Sequence, residues 1–303
     1  MVVHIPVLVH TPAHAGIGPV LTYTAEESLP PGSLVRVPLG SRETVGIVWN
    51  VQSPVDGVGA DPSMLGAPAL RPIAGLLEGV IPLCPAWCQL LSFAAQYYQR
   101  SMGEVAIAAL PLQLRDLTAQ QLARRLAANA KQPAQGPMQP VTQAGQEPPA
   151  LTPEQSAALA RIDAGTGPFL LFGTTGSGKT EVYLQAAMRV LSEQPDAQVL
   201  VMVPEINLTP QLEARFRARF EPQYGPSSVV SMHSGMSNPQ RLRSWLAAHQ
   251  GPARIVLGTR MAVFASMPRL RLIVVDEEHD PSYKSSEGAR YSARDLALYR
   301  GRL

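Results

Sequence analysis

The chain has 303 residues, of which 46% are hydrophobic, and this length and composition suit a globular protein of two modest domains. It contains no run of about 18 or more apolar residues, and its first ten residues lack the basic start of a signal peptide, so we expect neither a membrane span nor a secretory leader. The net charge of +2 does not by itself indicate a nucleic-acid partner.

Short β-strands are predicted in the first 50 residues. The segments are β-branched or alternating and are separated by Pro/Gly turns. They are Val2–His10, Leu21–Thr24, Leu34–Pro38 and Val45–Val51. Residues 51–70 are rich in Gly, Pro and Asp and predict a loop. A small β-rich domain is therefore expected at the N-terminus.

Helices are predicted in the next part of the chain. Apolar residues recur with helical spacing from Trp87 to Arg100, after Pro85. The two cysteines, Cys84 and Cys88, lie at the start of this segment. We predict that they are small core residues rather than a metal site, because two ligands do not complete one. Such sparse cysteine usage favours a cytoplasmic protein.

The composition divides the chain into three parts. Residues 1–111 form the predicted N-terminal domain. Residues 112–150 are predicted to be a linker because Pro and Gln are frequent there, although 113–127 also fits a short helix. A second domain is predicted over 151–303.

Strands and helices alternate in the second domain. Strands are predicted at 168–173, 197–203, 228–232, 253–258 and 270–276, and helices at 153–164, 179–193, 209–220 and 239–249. This order is typical of an α/β fold with a parallel sheet covered on both faces. Ligands bind such sheets at the carboxyl ends of the strands.

A phosphate-binding loop follows the first of these strands. It reads G-x-x-x-x-G-K-T and consists of Gly173, Thr174, Thr175, Gly176, Ser177, Gly178, Lys179 and Thr180. Glycines allow several backbone N–H groups to point at one phosphate chain, and the following helix N-terminus favours the same anion. We predict that Lys179 binds the β- and γ-phosphates of ATP and that the Thr180 hydroxyl binds Mg²⁺.

An acidic cluster follows the apolar strand that starts at Leu270. Its sequence is Asp276-Glu277-Glu278-His279. An acid at the tip of a buried strand is costly unless it has a function. We predict that Asp276 binds Mg²⁺ and that Glu277 polarises the attacking water, which makes Lys179, Asp276 and Glu277 the candidate catalytic residues. The two motifs together indicate a nucleotide hydrolase core.

Longer sequence strings resemble the superfamily 2 DNA helicases, and specifically the PriA family of primosomal replication-restart helicases. The second domain carries the strings Leu151–Gln155, Gly173–Tyr183, Val203–Gln211, His233–Gly235, Gly258–Arg260 and Asp276–Lys284. The N-terminal half carries Val35–Gly40, Gly46–Val48 and Gly103–Val105 with Ala109–Pro111. This resemblance implies a domain that binds a 3′ DNA end, followed by a P-loop (RecA-like) helicase lobe.

The resemblance also implies roles for single residues. Gln155 would hydrogen-bond the adenine edge, and Arg260 with the segment Pro204–Gln211 would contact the backbone of single-stranded DNA. An aromatic-rich loop would couple DNA contact to hydrolysis, since aromatic faces stack on bases and cations hold phosphates. Its residues are Tyr283, Lys284, Arg290, Tyr291 and Arg294.

The chain departs from the family pattern in three respects. Thr22, beside Tyr23 in the hairpin that reads the terminal 3′ nucleotide, replaces an acidic residue, so weaker 3′-hydroxyl discrimination is expected. Residues 112–150 are too few for the family's winged-helix domain. The sequence stops at Leu303 without the family's second lobe and its arginine finger and without its zinc module, whose ligands are absent here, so we expect a truncated gene product or a fragment.

Two functions remain open. The first is an ATP-dependent 3′-to-5′ DNA helicase for the restart of stalled forks, which uses ATP and Mg²⁺ and acts on branched and single-stranded DNA. By resemblance, its partners are other primosome proteins and single-stranded DNA-binding protein. No membrane partner is expected. The second is a fork- and nucleotide-binding fragment without ATP turnover, which the missing arginine finger favours. An unrelated P-loop kinase is disfavoured by Val203–Gln211 and the acidic cluster.

Overall fold

The computed structural model describes residues 2–11, 16–49, 70–131, 149–174 and 176–303, without the side chains of 127–131. It divides the chain into two compact units, Met1–Lys131 and Gln132–Leu303. Residues 51–69 of the predicted loop, the end of the predicted strand Val45–Val51, residues 132–148 of the predicted linker and Thr175 lie outside the described residues. In the described parts of the chain, every helix is too short or too polar to span a membrane.

The first unit contains a five-stranded antiparallel sheet. Its strands are β1 (Val3–Leu8), β2 (Val20–Ala25), β3 (Leu34–Leu39), β4 (Arg42–Val48) and β5 (Gly75–Leu76). Their order across the sheet is β2-β1-β4-β3-β5. Ile5, Val7, Tyr23 and Val35 are buried together in its core, as the alternating pattern predicts for a sheet with one packed face. The four long strands confirm the predicted ones, whereas β5 was not predicted.

Four helices complete the first unit. They are α1 (Pro85–Tyr97), α2 (Met102–Ala109), α3 (Leu112–Asp116) and α4 (Ala119–Lys131). Helix α1 confirms the predicted segment and buries Trp87 and Leu90. Cys84 and Cys88 are free and half-buried at its start, and burial raises the pKa of Cys88 to about 12.

The predicted linker needs a correction over its first part. Residues 112–131 are largely helical and belong to the first unit. The physical reason is apolar periodicity, because Leu114, Leu117 and Leu122 are all buried. The short helix that also fitted residues 113–127 therefore describes this part better than the Pro/Gln composition, which is concentrated in residues 132–148.

The second unit contains a four-stranded parallel sheet. Its strands are β6 (Gln198–Met202), β7 (Val229–Met232), β8 (Ile255–Gly258) and β9 (Leu270–Val275), in the order β7-β8-β6-β9. Its helices are α5 (Pro153–Ala164), α6 (Lys179–Glu193), α7 (Pro210–Tyr224), α8 (Asn238–Gln250) and α9 (Ala293–Arg302). The four strands and helices α5 to α8 match the prediction, whereas α9 was not predicted.

Strand β6 shows why this sheet is covered on both faces. All five of its residues are buried. Val199 and Val201 belong to the cluster that also contains Leu184 of α6 and Phe216 of α7. Successive strand residues point to opposite faces, so Leu200 and Met202 face the other layer. The architecture is an N-terminal antiparallel β-domain followed by a parallel α/β sheet of the kind found in RecA-like helicase lobes.

The predicted strand 168–173 is not part of the sheet. Within the described residues, β9 pairs with β6 alone, and no backbone–backbone hydrogen bond involves Phe169, Leu170, Leu171 or Phe172. An apolar segment becomes a strand only when a neighbour accepts and donates its backbone hydrogen bonds. The prediction of a sheet strand here was therefore wrong, although Leu171 packs in the cluster that includes Leu159 and Val182.

Candidate nucleotide and DNA site

The glycine-rich loop ends where helix α6 begins. Gly178 precedes the helix with φ of 81°, in the left-handed region that favours glycine. A Cβ atom at this position would lie 2.3 Å from Nε2 of Gln155. The backbone conformation is therefore the reason for glycine here, since Nε2 of Gln155 is the end of a flexible side chain that can move away. Lys179 and Thr180 are the first two residues of α6, where the positive end of the helix favours an anion.

Lys179 lies between the loop and the acidic cluster. Its ammonium donates to the carbonyl oxygens of Gly173 at 2.8 Å and Thr174 at 3.2 Å. Its Nζ is also 3.9 Å from Oε1 of Glu277. The structure therefore brings two of the predicted catalytic residues together from motifs about 100 residues apart in the chain.

Asp276 follows strand β9 and takes part in four hydrogen bonds. Its N–H donates to the carbonyl of Met202 at 2.8 Å. Its Oδ1 accepts the N–H of Glu277 at 3.1 Å, and its Oδ2 accepts the hydroxyl of Tyr183 at 3.2 Å. Its carbonyl oxygen accepts the hydroxyl of Tyr283 at 2.7 Å. Burial raises the pKa of Asp276 above its ordinary value because the charged form loses hydration.

Glu277 adopts an unusual backbone conformation. Its φ is 46°, in a region that non-glycine residues rarely occupy. Such conformations cluster at functional sites because the surroundings must hold them. Besides Lys179, its carboxylate lies 3.8 Å from Nδ1 of His279. A carboxylate beside a lysine and a phosphate loop has the placement that a water-orienting base requires.

Gln155 joins helix α5 to the glycine-rich loop. Its Oε1 accepts the N–H of Thr152 at 2.9 Å in a capping box, and its Nε2 donates to the carbonyl of Ser177 at 3.1 Å. The amide keeps one N–H and one lone pair for a further partner. The predicted contact to adenine stays a prediction.

The oxygens of Thr180 and Asp276 suit Mg²⁺ chemically. Magnesium prefers oxygen ligands and is commonly bound through one or two protein groups together with substrate phosphates. A hydroxyl at the end of the phosphate loop and a half-buried carboxylate are such a set. These two residues would hold the ion, and the nucleotide would complete its coordination.

Arg260 connects two of the predicted DNA-contacting segments. Its guanidinium donates to the carbonyls of Ser282 at 3.0 Å and Lys284 at 3.1 Å. It belongs to the lining of a small cavity of about 100 Å³. The other lining residues come from the matched strings and the loop, namely Glu205, Ser234, Thr259, Met261, Ser282 and Tyr291.

The predicted aromatic-rich loop is closed at its base. Lys284 pairs with Ser292, and the N–H of Ser285 donates to the carbonyl of Tyr291 at 2.8 Å. Lys284 and Arg290 are exposed, and Arg290 has a φ of 48°. Two cationic side chains are thus available to solvent at this loop.

The two tyrosines of the loop are placed differently from its cations. Tyr283 is 2% exposed, so its ring faces the protein rather than solvent in this conformation. The Tyr291 ring is half-buried and packs edge-on against Phe264, with 4.9 Å between ring centroids. Contacts between these residues and DNA remain predictions.

The predicted 3′-end residues lie on strand β2 of the first unit. Thr22 is exposed. Tyr23 is buried in the sheet core, and its hydroxyl donates to the carbonyl of Pro38 at 3.1 Å. The structure therefore presents Thr22 to solvent and gives Tyr23 a packing role, while the reading of a DNA end by either residue stays a prediction.

Sequence reasoning missed two residues of helix α6. Tyr183 contacts Asp276, and Glu181, which is 7% exposed, forms ion pairs with Arg219 at 2.8 Å and Arg215 at 3.2 Å. Their positions one turn after the phosphate loop were the only signal, since a buried carboxylate needs partners.

Comparison with known proteins agrees with this geometry. The family model of the DEAD/DEAH box helicases matches residues 152–299, and the model of a 3′DNA-binding domain (3′BD), named for PriA, matches residues 6–111. The replication restart protein PriA of Bacillus subtilis is 44% identical over 159 residues, covering 51% of this chain and 19% of that protein.

Two further relatives align with most of the chain. PriA of Treponema pallidum is 33% identical over 273 residues, which is 89% of this chain and 37% of the relative. PriA of Helicobacter pylori is 32% identical over 281 residues, which is 93% of this chain and 38% of the relative. The chain thus spans less than two-fifths of these relatives. It belongs to the PriA family of replication restart proteins and corresponds to the N-terminal portion, a 3′DNA-binding domain followed by a DEAD/DEAH box helicase domain.

Proposed function

We propose that the chain supplies the DNA-end-binding and ATP-binding parts of a 3′-to-5′ DNA helicase that acts in the restart of stalled replication forks. The observation that carries this proposal is the convergence at the end of strand β9. Lys179 of the phosphate loop lies 3.9 Å from Glu277, and Tyr183, four residues after Lys179, hydrogen-bonds Asp276. Residues from both nucleotide motifs therefore form one site.

The residues of this site have separable tasks. Lys179 would neutralise the β- and γ-phosphates, and Thr180 with Asp276 would hold Mg²⁺, which stabilises the developing phosphate charge. Glu277 would orient the attacking water. The closed loop at Lys284–Ser292 reaches this site through Tyr283, whose hydroxyl donates to the Asp276 carbonyl. A change in the loop on DNA contact would thereby be transmitted to the nucleotide site through Tyr283.

A pair of lysine variants tests the two binding functions separately. Lys179→Ala should lose nucleotide affinity by at least about tenfold, while Lys284→Ala should weaken single-stranded DNA binding and leave nucleotide binding unchanged. The reason is that Lys179 faces the acidic cluster, whereas Lys284 is exposed on the loop. A fluorescent ATP analogue and a labelled oligonucleotide measure the two affinities.

Each of the two lysine variants has a result that would contradict one of the two assignments. Equal nucleotide affinity for wild type and Lys179→Ala would remove the phosphate loop from the proposed site. Unchanged DNA affinity in Lys284→Ala would remove the loop from the DNA contact, while the nucleotide assignment would stand.

The base preference of the site rests on Gln155. If the free N–H and lone pair of the Gln155 amide contact the adenine edge, we expect Gln155→Ala to weaken ATP binding more than GTP binding. Gln155 also caps α5 and contacts Ser177, so its loss could loosen the loop for every nucleotide. An equal loss for ATP and GTP would assign Gln155 to the loop support alone.

The first unit would bind branched DNA with little discrimination of the 3′ end. Thr22 is exposed on β2 but carries no charge, and residues 1–115 hold five basic and seven acidic side chains. Forks ending in a 3′-hydroxyl and a 3′-phosphate should therefore bind with similar affinity. Thr22→Asp should favour the hydroxyl end, and strong discrimination by wild type would contradict this account.

Other primosome proteins and single-stranded DNA-binding protein are further proposed partners, by resemblance to the family.

A second candidate function is binding without turnover. It is favoured by the segment 168–173, which leads into the phosphate loop yet lies outside the sheet whose strand β9 leads to Glu277. Hydrolysis requires the γ-phosphate and the water to be aligned within a fraction of an ångström, whereas binding tolerates looser geometry. Phosphate release with and without single-stranded DNA separates the two candidates, with Glu277→Gln as the control for site-specific turnover.

A further inference from the structure

The hydroxyl of Tyr183 lies between the two side chains proposed to hold Mg²⁺. It is 3.2 Å from Oδ2 of Asp276. Although burial raises the pKa of Tyr183 overall, the side chain of Thr180, one helical turn earlier, lies close enough to lower it. The ring is 6% exposed and stacks on Phe216, with centroids 6.5 Å apart. Packing therefore fixes the position of the hydroxyl oxygen.

Hydrogen-bond chemistry determines which way the protons point. An ionised carboxylate only accepts hydrogen bonds, and a hydroxyl carries a single proton. A metal-binding Asp276 must be ionised, so the Tyr183 hydroxyl donates to it and can only accept from Thr180. The proton of Thr180 is then directed at Tyr183, and the remaining lone pair of its oxygen points elsewhere.

The Asp276 carboxylate is fixed by the same arrangement. Oδ2 accepts from Tyr183, and Oδ1 accepts the N–H of Glu277 at 3.1 Å. The two hydrogen bonds hold the rotation of the carboxylate while each oxygen keeps a second lone pair. A cation needs such lone pairs and is repelled by protons.

We propose that Tyr183 is a positioning residue for the Mg²⁺ of the bound nucleotide. It takes the proton of Thr180, gives its own to Asp276, and thereby presents lone pairs of both ligands to the ion. The inference rests on the proposed function, since it assumes that this site takes Mg²⁺–ATP. Groups that orient metal ligands typically change metal affinity by about 10- to 100-fold when removed.

The test is Tyr183→Phe in the full chain. It keeps the buried ring and removes the hydroxyl. Tyr224→Phe is the matched control, because the Tyr224 hydroxyl is buried and has no hydrogen-bond partner among the described residues. Binding of a fluorescent ATP analogue is titrated with Mg²⁺, and again in EDTA. We expect the Mg²⁺ midpoint to rise about tenfold or more in Tyr183→Phe, with unchanged binding in EDTA, and wild-type values for Tyr224→Phe.

A direct metal measurement avoids dependence on nucleotide fluorescence. Mn²⁺ replaces Mg²⁺, and the free ion is followed by electron paramagnetic resonance at saturating nucleotide. Tyr183→Phe should bind Mn²⁺ more weakly by a similar factor. In a double-mutant cycle with Thr180→Val, the effect of Tyr183→Phe should shrink, because one of its two targets is already gone.

Each outcome separates this inference from the proposed function. A wild-type chain without Mg²⁺-dependent nucleotide binding overturns the proposed function itself. A wild-type chain that has it, with Tyr183→Phe showing the same Mg²⁺ midpoint, overturns the role of Tyr183. An equal loss in Mg²⁺ and in EDTA, or strict additivity with Thr180→Val, shows a packing role and also overturns it.

Discussion

The two halves of the nucleotide site are held by the fold to very different degrees. Asp276 follows a strand of the sheet and receives or donates four hydrogen bonds, two of them from buried tyrosines. In the part of the chain that the structure describes, residues 169–172 before the phosphate loop make no backbone–backbone hydrogen bond, and Phe172 is 92% exposed. Both segments are strongly apolar in sequence, so apolarity alone does not determine membership of a sheet.

The difference shows which contacts hold each half of the nucleotide site in place. The acidic half of the site, which contains Asp276 and Glu277, is built from long-range contacts between α6, β9 and the loop after β9. The phosphate half is local, since its glycine conformations and the helix start at Lys179 need only neighbouring residues. Four predictions break or sharpen this contrast, and the expected changes in unfolding free energy fall from the first to the last.

One phenylalanine of the sheet core and one of the segment before the phosphate loop give the largest contrast. Phe220→Ala should lower the free energy of unfolding by about 3–5 kcal/mol, because its ring is fully buried in the core beneath β6. Phe172→Ala should change it by less than about 0.5 kcal/mol. Urea unfolding of both variants checks the pair, and a large loss for Phe172→Ala would show that the segment is packed after all.

The ion pairs of α6 should matter next. Glu181→Ala leaves Arg219, whose side chain is 14% exposed, without its carboxylate, so we expect a loss of about 2–3 kcal/mol. Arg215 is half exposed and adds little. Glu193→Ala at the exposed end of the same helix is the control, with an expected change within about 0.5 kcal/mol. Equal effects of the two substitutions in thermal or urea unfolding would contradict an anchoring role.

The buried tyrosine after β9 should have a moderate effect. Tyr283→Phe removes the donor to the Asp276 carbonyl from a ring that is 2% exposed, so a loss of about 1–2 kcal/mol is expected. Tyr224→Phe, which removes a partnerless hydroxyl, should be neutral or slightly stabilising. Denaturant midpoints of the two variants measured side by side decide whether the hydrogen bond or the burial matters.

Asp276 should show the smallest effect and the opposite sign. Its pKa is raised by burial, so the folded state holds a proton more tightly than the unfolded state. Stability is therefore lost as pH rises from the unfolded pKa through the folded one, and the loss persists at neutral pH. Asp276→Asn should be more stable than wild type near pH 7, and this gain should diminish as the pH falls and Asp276 takes up its proton. A gain that is independent of pH would contradict the burial argument.

Much of this site could be predicted from sequence because its signals are local. The start of α6 at Lys179, the capping box of α5 and the acidic end of β9 follow from glycine, Thr/Gln and apolar patterns. The missed contacts share a different property. The Tyr183–Asp276 hydrogen bond joins residues 93 positions apart, so it depends on how α6 lies against β9. Residues 168–173 show the converse error, since a strand pattern cannot reveal whether a neighbour is present.

Amide hydrogen exchange of the nucleotide-free chain tests most directly whether the two halves of the site are held differently. Peptides covering residues 270–275 should exchange at least about 100-fold more slowly than peptides covering 169–172, because the first lie in a hydrogen-bonded sheet and the second do not. Adding Mg²⁺–ATP should protect the loop at 173–180 in wild type and leave it unprotected in Lys179→Ala. Equal protection of residues 270–275 and 169–172 without nucleotide would contradict the account.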